Sequence, residues 1–373
     1  MAPMPGALER CVGDVRTFAA DHWGRTPLHR RTDEPFDDVL SVDDIDALLT
    51  SAARRPEVRL VRDGTTLDPR AYTSMTRLGG RSVDDLVDPT KVADRMAEGA
   101  TVVLQSVHRT WPAVSRFAAE LEQQVSHPVQ VNVYVTPPGA AGLAPHSDEH
   151  DVIVCQLHGH KAWTVDGLGE LTLSPGNTMY LPTGTRHSAT AQDQASVHLT
   201  IGLLRITYRD VVQRLLARSS GVLDQPLPLG WAADSPTTGF EDALATALEH
   251  AGKALDVADV SEVADRERRR RRPRPEHGGR IASTIRAADI DGSTIVRLRP
   301  GTAPTVEDGA DGALRLQLSD RRLRLPAVAR AALEVLCAGS LVRVDELPSI
   351  DAESRLVLAR RLVREGMLLV APA

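Results

Sequence analysis

The sequence predicts a mixed α+β protein organised around a barrel or double sheet of jelly-roll type. A helical region and a small C-terminal unit of winged-helix-like order follow it. Three observations carry this prediction: an apolar period of two that begins near residue 129, short strands punctuated by Gly/Pro turns up to about 203, and a return to helical periodicity after 207.

Residues 7–60 are expected to form helices joined by turns. In "SVDDIDALLTSA", Ser41 or Asp43 is the candidate cap, ahead of apolar Ile45, Leu48 and Leu49. Pro112 opens a further helix, with Val114, Phe117, Ala118, Leu121 and Val125 at helical spacing. In "VQVNVYV" the four valines 129, 131, 133 and 135 share one face, and Gln130, Asn132 and Tyr134 share the other. "SVHLTIGL" likewise places Ser196, His198 and Thr200 opposite Val197, Leu199 and Ile201. Between these two runs, "PPGAAG", "DGLG", "SPGN" and "PTGT" mark tight turns.

Beyond 207, "GFEDALATALEHAGKALDVADV" carries an apolar stripe through Phe240, Leu244, Leu248, Ala251 and Leu255. The basic stretch "RERRRRRPRPEHGGR", 266–280, reads as an exposed linker. From 311 the order is hairpin, helix, helix, strand. The first of these helices is opened by Pro326 and stopped by Gly339, and the second is stopped by Gly366. The expected domains are therefore 1–206, the jelly roll with its N-terminal helices, 207–290, helical, and 291–373, winged-helix-like.

The chain has 373 residues, 42% hydrophobic and 25% charged, with net charge -6. That balance argues against a protein built wholly around nucleic acid. Residues 311–373 hold ten basic and eight acidic side chains, too even a mixture for an electrostatic DNA footprint. The basic run Arg268 to Arg272 reads more simply as a solvated helix end than as an RNA contact. Cys11, Cys155 and Cys337 are far apart in sequence and suggest neither a disulfide framework nor a structural zinc site. With no signal-like N-terminus and no membrane-length apolar run, the expected compartment is the cytoplasm.

The chemistry concentrates in "APHSDEHDVIVCQLHGHKAWTV", residues 144–165. His146 and Asp148 stand two apart at the head of a strand, so both can face one metal. "SPGNTMYLPTGTRHSA" supplies His187 as a third ligand. Two imidazoles and one carboxylate on one side of a metal form the facial triad of non-haem Fe(II) oxygenases. His150 is the competing partner of His146, but an H-x-x-x-H pair needs a helix, and this stretch leads into β pattern. His158 and His160 read as solvated turn residues. His198 is either a cavity residue or a satisfied core histidine. Lys161, inside the apolar strand "KAWTV", is either a solvated edge lysine or a buried cation that needs an anion. Asn132 and Tyr134 are its natural polar companions.

Taken together, "NVYVTPPGAAGLAPHSDEHDVIVCQLHGHKAW", "PGNTMYLPTGTRHSA" and "SVHLTIGL" resemble the JmjC-type ribosomal oxygenases, also described as large cupin-like proteins. The resemblance implies a side-chain hydroxylase using Fe(II), 2-oxoglutarate and O2. Its substrate would be a protein or peptide, a ribosomal arginine or histidine among the candidates. It also implies that His146, Asp148 and His187 are the iron ligands and that Lys161 pairs with 2-oxoglutarate. Asn132, Tyr134 and Ser196 would line the cosubstrate pocket. A homodimer through the helical region and a C-terminal winged helix are further implications. The chain departs from the family pattern at Asn177, where such turns carry Asp, and in having lysine at 161, where some arginine hydroxylases have arginine. The substrate therefore does not transfer with the resemblance. The alternative function is a cupin-like sensor joined to a winged helix as a DNA-binding regulator. A non-oxidative zinc or manganese cupin is a third reading, which gives Lys161 no task.

Overall fold

The computed structural model of the chain describes residues 6–51, 53–140, 144–191, 193–218, 221–227, 239–256, 259–270, 279–309, 311–318 and 321–371. The chain divides into two compact units, Met1–Leu204 with Pro273–Ala373, and Arg205–Arg272.

The valine alternation at 129 builds the centre of the first unit. Val129–Thr136 pairs with Ser196–Leu203 on one side and Thr101–Leu104 on the other, within an eight-stranded antiparallel sheet. Strand order across this sheet is Leu28–Arg30, Thr178–Leu181, Asp151–His158, Ser196–Leu203, Val129–Thr136, Thr101–Leu104, Val58–Arg62, Thr65–Thr66. A second sheet of three strands, Gly169–Leu173, Lys161–Val165 and His187–Ala191, completes the double-stranded β-helix.

Side-chain alternation sends each strand's two faces to different places. The outer face of the large sheet carries Val131, Val133, Ile153, Cys155, Leu199 and Ile201 into a core shared with the helices Ala7–Val12 and Pro112–Val125. Cys11 on the first of these helices lies 4.0 Å from Cys155, sulfur to sulfur. The inner face is apolar at one end only, where Val152, Val154, Met179 and Leu181 pack with Trp163, Val165 and Leu173. Elsewhere it is polar and lines a cavity.

Several expectations meet the structure directly. Ser41 caps Val42–Thr50 and shares a reciprocal capping box with Asp44. The helix opened by Pro112 runs to Val125. Between 7 and 60, however, the chain is not all helical: Leu28–Arg30 is a strand and Val58–Arg62 begins another, and beyond that range Thr73–Leu78 with Arg81–Val87 forms a hairpin. The reason for the miss is local. In "VRLVR" Arg59 stands between buried Val58 and Leu60 but Arg62 follows buried Val61, so the run is too short and uneven to carry a period of its own.

The C-terminal segment of this unit holds two three-stranded sheets. One joins Ile295–Leu298 to Val342–Arg343 and Leu368–Val370; the other stacks Thr305–Asp308, Leu314–Gln317 and Arg322–Leu325. Helices Arg330–Cys337 and Ala352–Arg364 bury Leu333, Leu336, Ala359 and Leu362 in a core of their own.

In the second unit, Phe240–Asp256 is a 17-residue helix, and Val260–Arg270 follows it. The basic stretch is therefore helix rather than linker as far as Arg270, because Arg266 and Arg268 pair with Glu262 and Asp265 along it. Residues 271–278 lie outside the described residues, and the last residue of the stretch, Arg280, opens the helix Arg280–Arg286.

Candidate active site

His146 and His187 come together through the backbone. Each donates its amide to the other's carbonyl, at 3.1 and 2.9 Å, in an isolated antiparallel bridge at the mouth of the β-helix. Asp148 follows two residues on, and its carbonyl accepts from the Gly184 amide at 2.9 Å. Asp148 Oδ1 lies 3.9 Å from His146 Nε2, and Oδ2 lies 3.7 Å from His187 Nε2. One ligand atom from each of the three residues falls within 4.8 Å of the others. Donors held about 2 Å from a common ion stand roughly 3–4 Å apart, so the set fits one metal.

The tautomers follow from the second nitrogen of each ring. Nδ1 of His146 meets the Ala144 carbonyl at 2.8 Å, and Nδ1 of His187 meets the Thr185 carbonyl at 3.0 Å. A carbonyl only accepts, so both Nδ1 atoms carry the proton and both Nε2 lone pairs turn toward Asp148. Burial pushes the His187 imidazole below its ordinary pKa, which favours the neutral, ligating form.

The turn that delivers His187 is tied down by Asp151. This fully buried carboxylate accepts from the Tyr180 hydroxyl at 2.6 Å and from both the amide and hydroxyl of Thr183 at 2.8 Å. Residues 182–185 are thereby fixed over the first residue of the strand Asp151–His158.

Lys161 begins its strand immediately after the Gly159 turn. Gly159 has φ +62°, and a Cβ there would meet the Ala195 carbonyl oxygen at 1.9 Å, so only glycine lets the chain turn into the strand at this point. Lys161 is 2% exposed. Its ammonium donates to Thr136 Oγ1 at 3.0 Å, and burial lowers its pKa from 10.5 to about 8. Among the described residues no carboxylate pairs with it.

The cavity between the sheets, about 240 Å³, is lined by Lys161 together with all three triad residues. Asn132, Tyr134, His150, Trp163, His198 and Thr200 also line it. Tyr134 stacks on His198 with ring centroids 5.0 Å apart and planes 3° apart. Burial pushes the Tyr134 phenol up, and burial beside Lys161 pushes His198 well below the usual imidazole range. His198 is thus a neutral cavity residue, and its Nδ1 makes no hydrogen bond among the described residues. Asn132 reaches back as well, with Oδ1 accepting the Ser106 amide at 2.9 Å.

Ser196 falls outside the lining, which corrects its expected place in the pocket. It is fully buried, and its hydroxyl accepts from Gln156 Nε2 at 2.9 Å. It stands opposite Thr136 at the far end of its strand, in unbroken register with the row that holds His198 and Thr200. His158 is exposed, as expected of a turn residue, whereas His160 is half-buried beside the Ser174 hydroxyl at 3.2 Å. Arg59, Thr101 and Trp163 line the cavity but carried no distinguishing signal in the sequence. For Arg59 and Thr101, the strands that place them were the missing information.

Fold and triad together define a double-stranded β-helix whose mouth carries a His-Asp-His cluster that fits one metal ion. Residues 104–169 and 166–211 match the JmjC domain family. The chain is 30% identical over 227 residues to Ribosomal oxygenase 1 of Gallus gallus, covering 53% of this chain and 36% of that protein. It is 30% identical over 207 residues to the bifunctional lysine-specific demethylase and histidyl-hydroxylase NO66 of Branchiostoma floridae, covering 53% and 32%. The chain thus spans about a third of the length of these relatives. In fold it is similar to YcfD, a ribosomal oxygenase from Escherichia coli solved with cobalt and 2-oxoglutarate. That likeness has TM-score 0.53 and 16% identity, and covers 97% of this chain and 99% of YcfD. The match to the JmjC domain family thus falls on residues 104–211, the stretch that holds the His146, Asp148 and His187 cluster.

Proposed function

We propose that this protein is an Fe(II)- and 2-oxoglutarate-dependent oxygenase that hydroxylates an amino-acid side chain of a protein or peptide. A ribosomal protein is the first candidate substrate, since the relatives named above are ribosomal oxygenases and histidyl-hydroxylases. The observation that carries this reading is the sharing of one cavity by a His-Asp-His cluster and a buried lysine that has no carboxylate partner among the described residues.

His146, Asp148 and His187 would hold the iron on one side, leaving the cavity side for cosubstrate and oxygen. Ferrous iron with 2-oxoglutarate and O2 supplies an oxidative decarboxylation, giving succinate and carbon dioxide, coupled to hydroxylation of a C–H bond. Lys161 would bind the far carboxylate of 2-oxoglutarate by a charge-assisted hydrogen bond, with Thr136 orienting its ammonium. Tyr134 and Asn132 would border the cosubstrate, and the Tyr134–His198 stack would exclude water from that wall.

The test is succinate formation by purified protein with Fe(II), ascorbate and 2-oxoglutarate. Asp148→Ala is expected to abolish it, and equal turnover by wild type and variant would end the reading. The DNA-regulator alternative gains nothing from these relatives, and the even charge of residues 311–373 gives it no footprint. We further infer a cytoplasmic homodimer formed through the helical region, with the C-terminal segment as a winged-helix-like docking element. Three free cysteines and the exposed apolar stripe of Phe240–Asp256 support this.

A further inference from the structure

Of the charged side chains that line the cavity among the described residues, Arg59 is the one to which the reading above gives no task. It lies on Val58–Arg62 opposite Val103, which stands opposite Tyr134, which stands opposite His198. Residues in register share a face of the sheet, so Arg59, Tyr134 and His198 form one row looking into the cavity. The Arg59 Nε is buried without a hydrogen-bond partner, and among the described residues its guanidinium makes no ion pair. A buried guanidinium edge without an acceptor is costly, and in a binding cavity it is the mark of a group awaiting one.

The other charges in the cavity set the sign of what it accepts. Lys161 is the second cation. Among the described residues Asp148 is the only acidic side chain in the lining, and it belongs to the His-Asp-His cluster. Asp151 is committed to Tyr180 and Thr183. The neighbouring segment 141–143, Ala-Gly-Leu, contains no acid. With Lys161 committed to the cosubstrate, an arginine or lysine side chain entering here would meet the like charge of Arg59 and, among the described residues, no free counter-ion. An amide, imidazole or carboxylate side chain would meet a donor fork of the right polarity.

We propose that Arg59 is the substrate-specificity residue of this site, taking a hydrogen-bond acceptor on the target side chain. It selects an uncharged or acidic residue for oxidation and excludes arginine and lysine. This rests on the hydroxylase reading, and the two fail differently.

The first test compares proteomes of cells carrying the wild-type protein or Asp148→Ala, searching for peptides that differ by one oxygen. An added oxygen on a neutral or acidic residue supports the proposal; one on arginine or lysine overturns it. Absence of succinate formation by the purified protein overturns the hydroxylase reading instead. The second test measures binding of the modified site's unmodified peptide to the full-length, metal-free protein by calorimetry. Arg59→Lys is expected to bind within about threefold of wild type and Arg59→Glu at least tenfold more weakly, with circular dichroism confirming that both fold. Equal affinities across the three proteins would overturn the assignment.

Discussion

At Lys161 an ammonium sits out of reach of water, and the fall of its pKa from 10.5 to about 8 measures what that burial does. At about 1.4 kcal/mol per tenfold change, holding the charged form inside costs the fold about 3 kcal/mol below pH 8. Between pH 8 and 10.5 the unfolded chain binds the proton that the folded chain has released, so stability contributed by this group rises with pH across that window. Lys161→Met is accordingly expected to raise chemical-denaturation stability at pH 7 by up to about 3 kcal/mol. The same change should weaken 2-oxoglutarate binding more than tenfold, read by calorimetry. In the wild type, 2-oxoglutarate affinity should fall about tenfold per pH unit above 8, as the free protein loses this proton. A flat profile between pH 7 and 9.5 would contradict the role given to Lys161. The lysine was visible in the sequence as a charge inside "KAWTV", though its burial was not. Arg59 had no such contrast, because nothing local distinguishes an inward arginine from an outward one.

Among the elements, the segment between Thr178–Leu181 and His187–Ala191 does the positioning. Its register over the metal cluster depends on Asp151, which holds Tyr180 and Thr183 from one buried carboxylate. Asp151→Ala would leave three donors facing a void, at a cost of about 3 kcal/mol or more. The expected outcome is a lower melting temperature, together with a 10- to 100-fold loss of metal affinity through the displaced His187. Thermal melts and metal titration on one preparation check both. Sequence reading found this segment because Pro and Gly punctuate it, and found Val129–Thr136 because its valines alternate without a break. It could not find Val58–Arg62, a strand whose identity depends on a partner some forty residues away. Nor could it see that Ser196 is taken up by Gln156, since that hydrogen bond joins residues forty apart in the sequence.

Across the whole molecule, the unit Arg205–Arg272 presents a helix whose apolar stripe is not covered within the described residues. Leu244, Leu248 and Leu255 on Phe240–Asp256 are 43%, 63% and 38% exposed. Side chains of this size at helical spacing are placed to meet another surface. The double substitution Leu244→Glu with Leu248→Glu is expected to convert a dimer to a monomer in light scattering. A wild-type monomer at micromolar concentration would remove the dimer proposal.

The backbone bridge between His146 and His187 has a consequence for how the protein is supplied. Because the two imidazoles are spaced by main-chain bonds rather than by the ion, the mouth offers nearly the same grip to any divalent cation of similar radius. Intrinsic affinities then follow the transition-series order, in which zinc, nickel and copper outrank ferrous iron. Occupancy by iron is therefore decided by which metals the surrounding cell leaves free, and stoichiometric zinc should silence the purified protein even with iron present.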